Sequence, residues 1–212
     1  MYFLPLCGLI FYNLIQHELE LRYDKKISNN YSSGIHIIFT IIIYILNNYN
    51  NELADNLFIL NSTGYFINDL LFLIKNREIK LIKIILVYHH LFSTIYIINK
   101  PNNGYVPAVL FWAEISNIPS NVVYHYIKTP NKTSFQRNIQ SFCEKIQFAV
   151  YSVLRIFYIT YLSYNEYNLD KTLLQEKLFM TLYPLIAMGW LYSYVLLKKN
   201  CMSKYNDTVK CD

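Results

Sequence analysis

Apolar residues in this chain fall in seven blocks separated by short polar loops. A tilted membrane helix needs about 17–25 residues, so the first two blocks are short unless flanking residues extend them. The pattern predicts an all-α membrane protein, a polytopic bundle or barrel of about seven transmembrane helices. The blocks are Tyr2–Ile15, Gly34–Leu46, Leu57–Ile74, Leu81–Ile98, Val106–Ile127, Ile146–Tyr164 and Leu178–Leu197.

Composition supports burial in a bilayer. Hydrophobic residues make up 54% of the 212 positions and charged residues 16%, against about 25% charged in an ordinary soluble domain. The first block lacks the basic start and small-residue cleavage site of a signal peptide, so it is interpreted as a first span. Aromatic residues are frequent near the predicted span ends, as in interfacial belts.

Basic residues are concentrated in alternate loops. Lysines and arginines follow the first, third, fifth and seventh blocks, whereas residues 47–56 contain none. By the positive-inside rule the basic loops are cytosolic, which predicts a lumenal or outside N-terminus and a cytosolic C-terminus. The net charge of +5 is spread over these short loops and does not form one face, so nucleic-acid binding is not expected. The cysteine spacing indicates no zinc site, and no metal or bound cofactor is expected.

Six of the ionisable residues inside the apolar blocks are singled out, because a charge there costs about 2.5–3.5 kcal/mol on insertion scales. They are His36, Asp69, His89, His90, Glu114 and Arg155. Such residues face a protein interior or a wet cavity, so each is a candidate for function.

Spans three and four are joined by a short loop, which favours an antiparallel pair. Asp69 then lies roughly 8 Å from the cytosolic end, with Tyr65 one turn deeper, and the two histidines lie about 12–14 Å in. Adjacent helical residues point about 100° apart, so one histidine is expected to face the cavity and the other a neighbouring helix. His89 shares a face with Ser93. A histidine–carboxylate pair could act as a general base toward a lipid amine or hydroxyl, or could only join two helices.

Glu114 begins a polar stripe with Asn117 and Asn121 in span five. Pro119 is expected to break or kink this helix, and an ion pair between Glu114 and Arg155 is expected. Trp190 in span seven is expected to pack. The spacing of Phe135, Ile139, Phe142 and Ile146 predicts either an amphipathic lead-in at the cytosolic interface or a simple extension of span six.

At these residues the chain resembles the TLC-domain family of multi-pass endoplasmic-reticulum membrane proteins. The matching pieces run in family order over residues 33–199: Ser33-Gly-Ile-His36, Gly64-Tyr-Phe-Ile-Asn-Asp69, His89-His90, Glu114-Ile-Ser-Asn117, Arg155 and Trp190. The resemblance implies about six to eight helices around a lipid-accessible cavity. In the ceramide synthases of this family, which join an acyl group from acyl-CoA to a sphingoid amine, tandem histidines are associated with catalysis, and they correspond to His89 and His90.

The acidic cluster that follows in the synthases is absent here, and Glu114-Ile-Ser-Asn-Ile-Pro119 is more similar to the smaller TLC-domain proteins. The resemblance thus implies sphingolipid or phospholipid handling through an intramembrane cavity of His36, Tyr65, Ser93, Glu114, Asn117, Asn121, Arg155 and Trp190. The alternatives are lipid N-acylation by His89, His90 and Asp69 with acyl-CoA as co-substrate, or trafficking and cargo binding. The expected partners are membrane lipids. The expected location is the endoplasmic reticulum, or a host endomembrane if the source is viral.

The expected organisation has three parts. Residues 1–32 hold the first span and a basic cytosolic loop, residues 33–199 form the TLC-like domain, and residues 200–212 form a polar cytosolic tail.

Overall fold

The computed structural model describes residues 3–47, 52–75, 81–99 and 105–167, together with positions 188 and 191. These residues are almost entirely helical and contain no strand, which confirms the all-α prediction for this part of the chain. The seventh predicted span and the C-terminal tail lie outside the described residues, apart from those two positions.

The helices follow the first six apolar blocks. They are α1 Phe3–Glu20, α2 Lys25–Asn47, α3 Glu52–Lys75, α4 Leu81–Asn99, α5 Tyr105–Lys128, α6 Ser134–Tyr151, a π-helix Ser152–Tyr158 and α7 Ile159–Tyr167. Within the described residues, three helical stretches are long and apolar enough to cross a membrane: Lys25–Leu46, Glu52–Lys75 and Ser134–Asn165. A shorter apolar stretch covers Leu86–Ile98.

Helix α2 begins well before its apolar block, so the predicted basic loop is helical from Lys25 onward. Asp24 caps the helix, because its Oδ1 accepts hydrogen bonds from the backbone N–H groups of Lys26 at 2.9 Å and Ile27 at 3.1 Å. The expected boundary between residues 32 and 33 therefore falls inside a helix. The polar first turns of α2 are structural, since Ser28 and Ser32 are fully buried.

The helix bounds bear on two further expectations. Helix α5 runs through Pro119 without a break, and a kink there stays a prediction. The segment from Phe135 to Ile146 lies inside the helical stretch Ser134–Asn165, and its position at the cytosolic interface stays a prediction. Phe135 and Phe142 are exposed on it, whereas Gln147 is buried.

The chain divides into two units, residues 1–147 and 148–212. In the first unit α3 is the central helix, since it packs against α1, α2 and α4, and α2 packs in turn against α5. The core of this unit contains Tyr12, Ile43, Phe58, Ile59, Tyr65, Phe66, Ile97, Val106 and Leu110. In the second unit, the π-helix packs against α7.

Glycines allow α1 and α3 to cross with their backbones in contact. A Cβ added at Gly8 would lie 3.0 Å from the Cα of Gly64 and would overlap the carbonyl oxygen of Leu60. A Cβ added at Gly64 would overlap the backbone of Gly8 in the same way. The crossing therefore requires glycine at both positions. Small residues are typical where the backbones of membrane helices approach closely.

Candidate functional site

Asp69 and His90 form a buried pair between α3 and α4. His90 Nε2 lies 2.9 Å from Asp69 Oδ2, and the two side chains are 8% and 9% exposed. The other carboxylate oxygen, Asp69 Oδ1, accepts a hydrogen bond of 2.9 Å from the Asn29 amide of α2. Both carboxylate oxygens are thus bonded, and three helices meet at this side chain.

The arrangement defines which nitrogen of His90 is available. An Nε2–H donating to the carboxylate leaves Nδ1 with its lone pair, because a neutral imidazole carries one hydrogen. Nδ1 is buried and makes no hydrogen bond among the described residues. A buried, oriented imidazole nitrogen of this kind is chemically suited to accept a proton.

The adjacent His89 points elsewhere, as the divergence of neighbouring helical residues predicts. It is partly exposed, and its ring lies edge-on to Phe66 with centroids 6.2 Å apart. Asp69 is paired with His90, not His89. Ser93, one turn after His89, is partly exposed on the same helix.

A second histidine–carboxylate pair lies between α2 and α5. His36 is completely buried, and its Nε2 lies 3.8 Å from Glu114 Oε1. The other oxygen, Glu114 Oε2, accepts a hydrogen bond of 3.1 Å from Asn117. Neither ring nitrogen of His36 makes a hydrogen bond among the described residues.

Two aromatic rings pack against His36. The Tyr65 ring stacks on the imidazole with centroids 4.1 Å apart and planes 9° apart. Phe66 lies 5.6 Å from His36 and 5.2 Å from His90, between centroids. Tyr65 and Phe66 therefore separate the two pairs, and both pairs belong to one cluster in the first unit.

A chain of hydrogen bonds links three helices next to this cluster. Tyr12 of α1 donates to Asn61 of α3, and the Asn61 amide donates to Thr40 of α2 at 3.0 Å. Tyr12 also packs edge-on against Tyr65, with centroids 5.5 Å apart. Four residues of this arrangement are not among the predicted site residues: Tyr12, Asn29, Thr40 and Asn61. The signal that could have found Thr40 and Asn29 is the helical spacing of polar residues once α2 is extended back to Lys25.

Three other predicted site residues lie outside the two pairs: Asn121, Arg155 and Trp190. Asn121 donates to Ser33 Oγ at 3.2 Å, so it joins α5 to α2 near the cluster. Arg155 lies in the second unit, on the π-helix, with its guanidinium 4.8 Å from the centre of the Tyr151 ring. An ion pair between Glu114 and Arg155 stays a prediction. Trp190 lies outside the described residues.

The described residues contain no group of three or more histidine, cysteine, aspartate or glutamate side chains placed to hold a metal ion. Comparisons with protein-family models, with curated proteins and with solved structures found no match.

Proposed function

We propose that this chain is a multi-pass membrane protein of the TLC type that handles membrane lipids, either sphingolipid or phospholipid, through the buried polar cluster of its first unit. The proposal includes seven membrane spans with a lumenal N-terminus. The observation that carries it is the buried Asp69–His90 pair with its Asn29 support. Polar groups at this depth cost free energy in a bilayer, so they are retained where they meet a polar part of a ligand or of the protein.

Lipid headgroups offer what such a cluster needs. Their hydroxyl, amine and amide groups can hydrogen-bond to an imidazole or a carboxylate, while their chains remain among apolar side chains. Large apolar side chains are exposed on α2 and α4, including Ile38, Ile42, Leu91 and Ile95. Such surfaces match contact with acyl chains.

A second candidate function is transfer of an acyl group to a lipid amine, which the unbonded Nδ1 of His90 favours. As the amine nitrogen forms a bond to the carbonyl carbon of an acyl-CoA thioester, Nδ1 takes the amine proton. The carbon–sulfur bond then breaks and the proton passes to the departing thiolate. Asp69 would stabilise the imidazolium between these steps, as carboxylates do in histidine-based catalysis.

The test is lipid mass spectrometry of membranes with matched amounts of wild type, Asp69→Asn and His90→Gln. Asp55→Asn, in the first turn of α3, and His125→Gln, which loses a contact to Tyr31, are the matched controls. We expect a lipid change that wild type and controls share and the two site variants lose. An accumulating acylated amine would establish the transfer reaction. The same profile in all five proteins would overturn lipid handling by this pair.

A further inference from the structure

Helix α6 carries exposed aromatic side chains and a buried glutamine. Phe135 and Phe142 are 72% and 61% exposed, whereas Gln147 is 4% exposed. The Gln147 Oε1 accepts a hydrogen bond of 3.3 Å from the Ser120 hydroxyl of α5. A helix between a protein and water has the reverse arrangement, with its apolar side inward. The exposed side of α6 therefore fits an apolar environment better than water.

The start of α6 is fixed by hydrogen bonds. Thr133 and Gln136 form a capping box, in which the Gln136 side-chain oxygen accepts from the Thr133 N–H at 2.9 Å and the Thr133 hydroxyl accepts from the Gln136 N–H at 3.2 Å. Gln140 accepts from Lys132 Nζ at 2.8 Å and donates to Glu144 at 2.9 Å. Phe135 therefore lies in the first turn of a helix with a defined beginning.

Positive charge accompanies the exposed aromatic residues. Residues 128–145 contain one acidic residue, Glu144, and four basic ones: Lys128, Lys132, Arg137 and Lys145. Among the described residues, none of the four forms an ion pair with a carboxylate. The Arg137 guanidinium instead donates to the Lys132 carbonyl oxygen at 3.0 Å and to the Ser134 hydroxyl at 3.4 Å. The charge of this segment is thus left for an outside anion.

The helical stretch that contains α6 is longer than one membrane span. Ser134–Asn165 has 32 residues, whereas about 20 suffice to cross the hydrocarbon core. Its first twelve residues include Arg137, Glu144 and Lys145, and residues 146–165 contain only Arg155 as a charged residue. Charges are costly at the bilayer centre, so the surplus length belongs to the charged start of the stretch. This start is expected at the depth of the lipid headgroups.

We propose that residues 128–145 bind the surface of a bilayer that contains anionic phospholipid. Phe135 and Phe142 enter the boundary between headgroups and acyl chains, about 5–10 Å deep as in other interfacial helices. Arg137 and Lys145 contact the lipid phosphates. A second copy of this face would bring the same positive charge and be repelled, whereas an anionic leaflet supplies the opposite charge. The proposal requires a membrane location and is independent of Asp69 and His90.

The experiment uses the full chain with Phe142→Trp, reconstituted in phosphatidylcholine vesicles with a minor fraction of phosphatidylserine. Bromine, which quenches tryptophan fluorescence, is carried by the phosphatidylserine in one sample and by an equal amount of phosphatidylcholine in the other. The signal of wild type, from Trp112 and Trp190, is subtracted. We expect the brominated phosphatidylserine to quench the new tryptophan about fivefold more effectively per lipid, because basic residues near the surface attract anionic lipid. In about 1 M salt, where the Debye length is about 3 Å, the preference should fall severalfold.

Charge variants in the Phe142→Trp chain identify the residues responsible. Arg137→Gln with Lys145→Gln is expected to bring quenching by the two brominated lipids close to equality. Arg22→Gln with Lys75→Gln removes the same charge from two other exposed positions of the first unit, and it should keep the preference. An unchanged preference in the first double variant would overturn the binding of anionic lipid by α6.

The depth of the bromine tests the aromatic part of the proposal. We expect bromines near the headgroup end of the acyl chain to quench the tryptophan at position 142 more strongly than bromines near the chain terminus. Stronger quenching by the deep bromines would make this segment part of the membrane span and overturn its place at the surface. Absence of quenching by either lipid would show that protein or water covers this face, which also contradicts the proposal.

Discussion

The two buried histidine–carboxylate pairs of the first unit have the same chemistry and different geometry. Asp69 Oδ2 and His90 Nε2 lie 2.9 Å apart, whereas Glu114 Oε1 and His36 Nε2 lie 3.8 Å apart. In both pairs an asparagine donates to the second carboxylate oxygen. Residue type and burial are therefore insufficient to define a site, and the difference lies in whether the histidine reaches its carboxylate. The facing atoms of the first pair are within hydrogen-bond distance, and those of the second pair are too far apart for a hydrogen bond.

The largest expected effect comes from removing the carboxylate of the Asp69–His90 pair. Asp69→Ala leaves the buried His90 and the half-buried Asn29 without their acceptor, and we expect it to lower the free energy of unfolding by about 3–5 kcal/mol. Glu114→Ala is expected to cost less, about 1–3 kcal/mol, because His36 already lacks this bond. Reversible unfolding in mixed micelles measures both. A larger loss for Glu114→Ala would contradict the comparison.

The packing next to the His36–Glu114 pair can be disrupted without changing either residue. Gly64→Ala places a Cβ against the backbone of Gly8, next to the Tyr65 ring that holds His36, and should destabilise the protein by about 1–3 kcal/mol. Gly34→Ala is its control, since no atom lies within 4 Å of the added Cβ. That change is expected to stabilise helix α2 by about 0.5–1 kcal/mol. Thermal unfolding in the same micelles compares the two, and a stable Gly64→Ala would refute the close crossing.

Double-mutant cycles sharpen the comparison. We expect Asp69→Ala and His90→Ala to be coupled by about 1.5–3 kcal/mol, as for hydrogen bonds to charged groups. Glu114→Ala and His36→Ala are expected to be coupled more weakly, by about 0.5–1 kcal/mol, because their facing atoms are 3.8 Å apart. Unfolding of each single and double variant in lipid-free micelles gives the coupling energies. Equal coupling energies would mean that the two histidine–carboxylate pairs interact equally strongly in micelles.

The smallest effect concerns the two asparagines. Asn29→Ala and Asn117→Ala each remove one amide donor from a carboxylate, and each should cost about 1–2 kcal/mol. The expected difference between them is below about 0.5 kcal/mol, because the two donor contacts are alike. A clear difference in unfolding free energy would show that the carboxylates differ in more than their histidines.

Much of the helical pattern was predictable from the sequence, because apolar blocks determine where a chain can remain in a bilayer. The start of α2 was not, since its first turns are polar and hydropathy marks them as a loop. Ser28 and Ser32 in these turns are fully buried, and local hydropathy carries no information about such burial. Helix α1 likewise continues beyond its apolar block to Glu20.

The site was predictable only where sequence neighbours become spatial neighbours. A short loop joins α3 and α4, so Asp69 and one of the two histidines could be placed together from depth alone. The contact of Glu114 with His36 could not be predicted, because the packing of α2 against α5 involves helices far apart in the chain. Depth matching favoured Arg155, and that ion pair stays a prediction.

The crossing of α1 and α3 has a consequence for recognising relatives of this chain. Every amino acid except glycine carries a Cβ, so any replacement of Gly8 or Gly64 disturbs the crossing, however similar its chemistry. Their constraint is steric and independent of the lipid, the membrane or the reaction. In a sequence too divergent to align, a glycine in the first helix and one shortly before an Asp in the third would mark this architecture more reliably than any histidine.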